Sequence, residues 1–381
     1  MPRFDERSHD VMDAAARTDR TTYSLVHVAW LLAFLVGAAS FGPVRRITSA
    51  TTLLVELGTK DAPRPDVTIT DLSMGNGSLH FRARLYAPRT PIRRCAVVGH
   101  GVHWKGIDEP RLANFASRLA ARGVLALTPE LADLADYRIT RQGVDVLSLA
   151  VRRLAVRCGG TVGLIGFSFA GGLGLLAAEE PSVSEHLDYV ASVGGYHDLS
   201  RELTFLLTDH VETPSGAVPR KAHEYGLVVL LYEHLDAFVP EEDLPTMQRA
   251  VRAWLMEDRA NAWAFASLAT SERSERLFVD LATGHRERFR GALSPVLSGE
   301  AVAERELSPA GRLGRIPVPV YLLHGRGDSV IPPEETVWAG REVEGRPHLA
   351  LVSPLIEHVE IGGAPTFGDQ WSLVHFMSRL L

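Results

Sequence analysis

Cysteine is scarce in this chain: two residues in 381, Cys95 and Cys158. Neither stands in a spacing that builds a thiolate metal site. Each precedes an apolar, strand-like run, so buried free thiols are the expected state. A disulfide between them would require an oxidising compartment and is not indicated by the spacing. An excess of positive charge is also lacking. The 40 Lys and Arg against 46 Asp and Glu leave a net charge of −6. Both signs are interspersed, so no basic footprint points to nucleic acid. Internal repeats and low-complexity tracts are absent, which excludes a solenoid. The length suffices for one large domain with an insertion, or for two domains.

Long apolar runs are equally rare, and the one exception is informative. Leu25–Phe41 carries no charge, with Arg17 and Arg20 before it and Arg45 and Arg46 after it. A helix of that length just crosses about 30 Å of hydrocarbon. Residues 23–42 are therefore expected to anchor the chain in a membrane, behind a polar tail at 1–22. Small residues at Ala38-Ala39-Ser40 would suit a cleaved signal peptide, but the long acidic segment ahead of the run argues against cleavage. Arginines at both ends leave the orientation open. Residues 43–66, with Pro63 and Pro65, are expected to be a linker.

From Val67 onward the pattern is that of alternating strands and helices. Val67–Asp71 and Ser78–Tyr86 alternate apolar and polar residues, as a hairpin does. Short buried runs follow at Cys95–Val98, Val124–Leu127, Thr161–Ile165, Tyr189–Val193, Val318–Leu323 and Leu349–Val352. Helical spacing separates several of them, at Arg111–Arg122, Ile139–Val156 and Trp371–Leu381. The class is α/β, with a mostly parallel, doubly wound sheet covered on both faces. The alternation breaks between residues 199 and 312, where helical pattern and charge prevail. That interval reads as a helical insertion, or cap, dividing a core of 67–198 and 313–381.

Gly166-Phe167-Ser168-Phe169-Ala170 lies where a strand meets an apolar helix. Small residues flank the serine because the backbone reverses sharply there, presenting the hydroxyl in a cleft. The same turn aims the Phe169 N–H, at a helix start, toward a reacting carbonyl oxygen. A serine hydroxyl needs a base, and the base needs an orienting acid. In parallel sheets such groups gather at the carboxyl ends of strands. Asp328 follows the strand ending at Leu323, and His358 follows the last strand. Asp198 is the alternative acid, in Gly194-Gly195-Tyr196-His197-Asp198. His348 and His375 are rival histidines but lie on regular elements. His100 and His103 flank Gly101 and are expected to shape a pocket. No carboxylate or cysteine shares their spacing, so no metal is expected.

These motifs — Gly99-His100-Gly101, the Ser168 turn, Gly325-Arg326-Gly327-Asp328 with Val330-Ile331-Pro332, and His358 — resemble those of the α/β-hydrolases from about Val67 to the C-terminus. Ala170 departs from the usual glycine. The resemblance implies Ser168, His358 and Asp328 as a catalytic triad, with the N–H groups of Val102 and Phe169 as an oxyanion hole. It implies an esterase-type serine hydrolase acting on a small-molecule acyl substrate, without a cofactor. The same nucleophile could serve an acyltransferase, thioesterase or peptidase. A catalytically silent, membrane-tethered binding domain is the alternative of another class.

Overall fold

Ten residues of alternating pattern, Val67–Asn76 (β1), pair antiparallel with Leu79–Pro88 (β2), so that Asn76 faces Leu79. The turn is tighter than the sequence pattern suggests. Gly77 occupies its first position at φ 61, a conformation that costs glycine little. In this computed structural model, residues 42–59, 62–283, 285, 289, 293, 304–357, 360–361 and 366–381 are described.

The remaining strands of the main sheet are short and buried: Arg94–Gly99 (β3), Val124–Pro129 (β4), Val162–Phe167 (β5) and Leu187–Val193 (β6). Past a small hairpin of His210–Thr213 (β7) and Gly216–Pro219 (β8) come Val320–Gly325 (β9) and His348–Ser353 (β10). The eight-stranded sheet has the order β1-β2-β4-β3-β5-β6-β9-β10. β2 runs antiparallel to both neighbours, and every pair from β4 to β10 is parallel. Near-continuous apolar strands fit burial on both faces. One face packs against helices Arg141–Cys158 and Phe169–Glu179, the other against Pro110–Ala121 and Phe367–Leu380.

Two expectations require correction. The stretch expected as a linker holds a helix, Gly42–Gly58. Ile47, Ala50, Leu53, Leu54 and Leu57 recur at helical spacing, and Ala50 and Leu53 are fully buried. Glu56 on this helix pairs with Arg118 at 2.7 Å and Arg122 at 3.0 Å, clamping it to helix 110–121. The prolines that suggested a linker lie beyond the helix end. The cysteines are not free thiols either. Cys95 on β3 and Cys158 at the end of helix 141–158 form a disulfide. The strand and the helix that packs on it bring together two residues 63 apart in sequence.

The insertion follows β6. It comprises helices Leu199–Thr208, Glu224–Glu233, Leu244–Leu255, Arg259–Ala266 and Glu272–Ala282, together with the β7–β8 hairpin. Its apolar residues, Met247, Val251 and Phe278 among them, form a cluster of their own. The hairpin strands are only four residues long, too short to show a period of two. Among the described residues no helix is long and apolar enough to cross a membrane. Leu25–Phe41 lies outside the described residues.

Candidate active site

Parallel pairing from β4 to β10 puts the carboxyl ends of these strands on one edge of the sheet. Ser168 stands there, one residue past β5 and one before helix Phe169–Glu179. Its backbone has φ 52 and ψ −130, a conformation that side-chain-bearing residues rarely adopt. Its N–H donates to the Val193 carbonyl at 2.8 Å, and its own carbonyl accepts from Gly171 N at 2.8 Å. These bonds hold the strained turn in place. Gly166 is required by contact. A Cβ there would lie 2.1 Å from the Ala170 carbonyl oxygen. Ala170, the departure from the usual glycine, fits because Gly99 opposite lacks a side chain. A Cβ on Gly99 would come within 3.2 Å of the Ala170 methyl.

The second wall of the site is the loop after β3. A Cβ on Gly101 would lie 2.8 Å from Ser168 Cβ, so the loop passes as close to the serine as a bare backbone allows. His100, buried, secures it. Its Nδ1 donates to the Gly101 carbonyl at 2.8 Å, and its Nε2 accepts from Leu131 N at 2.9 Å. Those partners define a neutral tautomer, and burial lowers the imidazole pKa to about 4. His103 is lowered too, by burial first, and accepts from Lys105 N at 3.2 Å. Val102 follows Gly101. Its carbonyl accepts from Tyr225 Oη at 3.1 Å, a contact with the insertion. Phe169 opens its helix, where first-turn N–H groups have no acceptor within the helix.

Asp328 lies three residues past β9 and is buried. Its Oδ1 accepts from Val330 N at 2.9 Å and Ile331 N at 3.1 Å. Its Oδ2 is 3.3 Å from Nε2 of His324, which is fully buried on β9. Because that nitrogen also lies 2.9 Å from the Ile331 carbonyl, it must carry the proton. Nδ1 faces Thr336 Oγ1 at 2.9 Å. His324 thus orients the Asp328 carboxylate and has no nitrogen left for a substrate. The sequence offered only its position at a strand end as a signal.

Asp198 caps helix Leu199–Thr208, accepting from Arg201 N at 3.1 Å. Glu335, buried among Arg201 and the N–H groups of His197 and Asp198, ties that helix start to the core. Glu202 is fully buried, and neither carboxylate oxygen has a hydrogen-bond partner among the described residues. Burial, then Glu335 and Asp328, pushes its carboxyl well above the usual range. His348 and His375 bond locally, to the Arg346 carbonyl and to Arg379. His358 lies outside the described residues. Ile356–Glu357 and Glu360–Ile361 flank it in sequence and pair antiparallel, and Ile356 lines the same cavity as Ser168.

That cavity measures about 650 Å³ and also contains His100, Gly101 and Val102. A smaller one, about 230 Å³, lies within the insertion and does not reach Ser168. No group of three His, Cys, Asp or Glu among the described residues could hold a metal ion.

The strand order, the antiparallel β2 and the serine between β5 and its helix decide the fold. This is the α/β-hydrolase fold. No protein-family model matches the sequence, and no curated protein matches it. Among solved structures, this chain is similar to the acylaminoacyl peptidase of Pyrococcus horikoshii, with 12% identity over 81% of this chain and a TM-score of 0.44. The match spans only 40% of that peptidase's length. It is similar to a bacterial membrane phospholipase A at 16% identity, covering 89% of this chain and 92% of that one, with a TM-score of 0.42. A dienelactone hydrolase from Anabaena variabilis shares 13% identity over 82% and 96% of the two chains, with a TM-score of 0.42.

Proposed function

We propose that this protein is a serine hydrolase that cleaves carboxylic esters through an acyl-enzyme. The observation that carries the reading is Ser168, held in a strained turn at the sheet edge and opening into a 650 Å³ cavity beside Gly101. Its oxygen adds to the acyl carbonyl carbon while the His358 imidazole takes its proton. Asp328 holds that imidazole in one tautomer and stabilises its charged form. The N–H groups of Phe169 and Val102 stabilise the oxyanion. Collapse expels the alcohol, which receives the proton from His358. Water then attacks the acyl-enzyme by the same route and releases the acid. No cofactor enters the scheme.

The Cys95–Cys158 disulfide supports a location in an oxidising compartment. With residues 23–42 as a membrane anchor, the hydrolase domain would face that side.

A fluorophosphonate probe and a nitrophenyl ester test the reading. The full chain is expected to be labelled at Ser168 and to hydrolyse the ester. Ser168→Ala abolishes labelling and lowers kcat by at least about 10³-fold, and His358→Ala is comparably impaired. A native chain that is neither labelled nor active would be a silent binding domain, and the hydrolase reading would fall.

A further inference from the structure

The Ser168 cavity has a shape that ester hydrolysis alone does not call for. It does not stop at the sheet edge. Val193, beside the Ser168 backbone, and Leu380, near the chain end, both line it. The Leu380 carbonyl accepts from Tyr189 Oη at 3.1 Å. Leu373, Met377 and Leu380 recur at helical spacing along helix 367–380 and span about 10 Å of its axis. The cavity therefore runs from the nucleophile at the sheet edge along helix 367–380, between it and helices 110–121 and 42–58. Apart from Ser168, His100 and His103 at the nucleophile's end, its polar members Glu109, Arg111 and Asn114 belong to helix 110–121 or its cap, and Glu109 is engaged by Arg111 at 2.7 Å and Leu112 N at 2.8 Å. Its apolar walls are Leu112, Phe115, Leu373 and Met377, with Leu54 and Leu57 of helix 42–58 opposite.

That last wall is the unexpected part. Helix 42–58 precedes the first strand of the hydrolase core, yet it packs on helix 367–380 and supplies one side of the cavity. Leu54 and Leu57 are half-buried and face the cavity, whereas Leu53 is fully packed. An apolar channel that begins at a nucleophile and has few hydrogen-bonding side chains along the helices that wall it suits a flexible hydrocarbon chain. A peptide would leave buried amides unpaired there.

We propose that this channel is the acyl-chain site, that the substrate is an ester of a long unbranched fatty acid, and that Leu54 and Leu57 set the chain-length preference. This rests on the assignment of Ser168 as nucleophile. Each methylene buried multiplies kcat/KM by about fourfold until the channel is filled.

The test has two arms on the full chain. In the first, kcat/KM is measured for nitrophenyl acetate, butyrate, octanoate, laurate and palmitate with the native protein, Leu54→Trp and Leu57→Trp. The native protein is expected to prefer the longer chains, and each tryptophan lowers the laurate-to-butyrate ratio by roughly tenfold. In the second, laurate is titrated calorimetrically into Ser168→Ala with and without each tryptophan. Saturable binding is expected, weakened roughly tenfold by either one. Thermal melts identify any variant that does not fold, and the other position then carries the comparison. Acetate as the best substrate, or ester turnover with no laurate binding, overturns the channel assignment and leaves the hydrolase reading standing. Tryptophan-sensitive laurate binding without any ester turnover removes the nucleophile and leaves the channel as a fatty-acid site.

Discussion

Ser168 is held in an unfavourable conformation, costing about 1–3 kcal/mol, because everything around it has been cleared for the turn. Gly166 yields its side-chain space to the Ala170 carbonyl, and Gly101 yields its own to the serine. Gly166→Ala is therefore expected to destabilise the fold by about 2–3 kcal/mol and to abolish probe labelling, as denaturant titration and labelling of the same sample would show. Glu202 makes the opposite kind of prediction. Its carboxyl is buried without partners among the described residues and keeps its proton at pH values where the unfolded chain has lost it. The folded state then binds the extra proton, so stability falls as pH rises above about 4.5, by about 1.4 kcal/mol per unit until the folded group ionises. Glu202→Gln, a neutral isostere, removes that slope. The variant should be more stable than the native protein at neutral pH and lose its advantage near about pH 4, by denaturant midpoints across the range.

At the scale of elements, two attachments bind the periphery to the sheet. The disulfide joins β3 to the end of helix 141–158 and so closes a long loop around β4. Reduction is expected to lower stability by about 2–4 kcal/mol, read from denaturant midpoints with and without reductant. Alkylation of the unfolded, unreduced protein should find no thiol, and two modified thiols there would contradict the bridge. The other attachment is helix 42–58, held by Glu56 against Arg118, whose side chain is nearly fully buried. This pair links the N-terminal helix to helix 110–121, and therefore to the cavity wall that helix shares.

For the whole molecule, the insertion serves as more than a roof. Two residues near the start of helix 224–233 bridge the loops that follow β9 and β3. His223 N donates to the Ser329 carbonyl at 2.7 Å beside Asp328, and Tyr225 Oη donates to the Val102 carbonyl at 3.1 Å. Tyr225 thus holds the loop that carries the proposed oxyanion donor Val102. Tyr225→Phe removes one hydrogen bond worth about 1 kcal/mol, so kcat is expected to fall about fivefold with KM for a short ester unchanged. A rise in KM alone would instead mark Tyr225 as a substrate contact. The sheet edge, helices 110–121 and 367–380 and helix 42–58 each supply one side of the cavity at Ser168, which is why no single segment of the sequence outlines it.

Local pattern decided what depends on neighbours along the chain. The alternation of apolar strands with helices, the break in it after β6, and the Gly166–Ala170 turn are short-range signals, and they determined the α/β class, the insertion and the placement of Ser168. Asp328 was readable for the same reason, since a loop residue after a strand in a parallel sheet comes to the same edge as every other. Long-range packing decided the rest. Cys95 and Cys158 pair only because helix 141–158 lies back on β3, a fact no spacing encodes. Pro63 and Pro65 masked helix 42–58, whose apolar face has meaning only against helix 367–380. His324 behind Asp328, Tyr225 on Val102 and the channel running to Leu380 join residues far apart in sequence. Such contacts exist only once the sheet has brought them together.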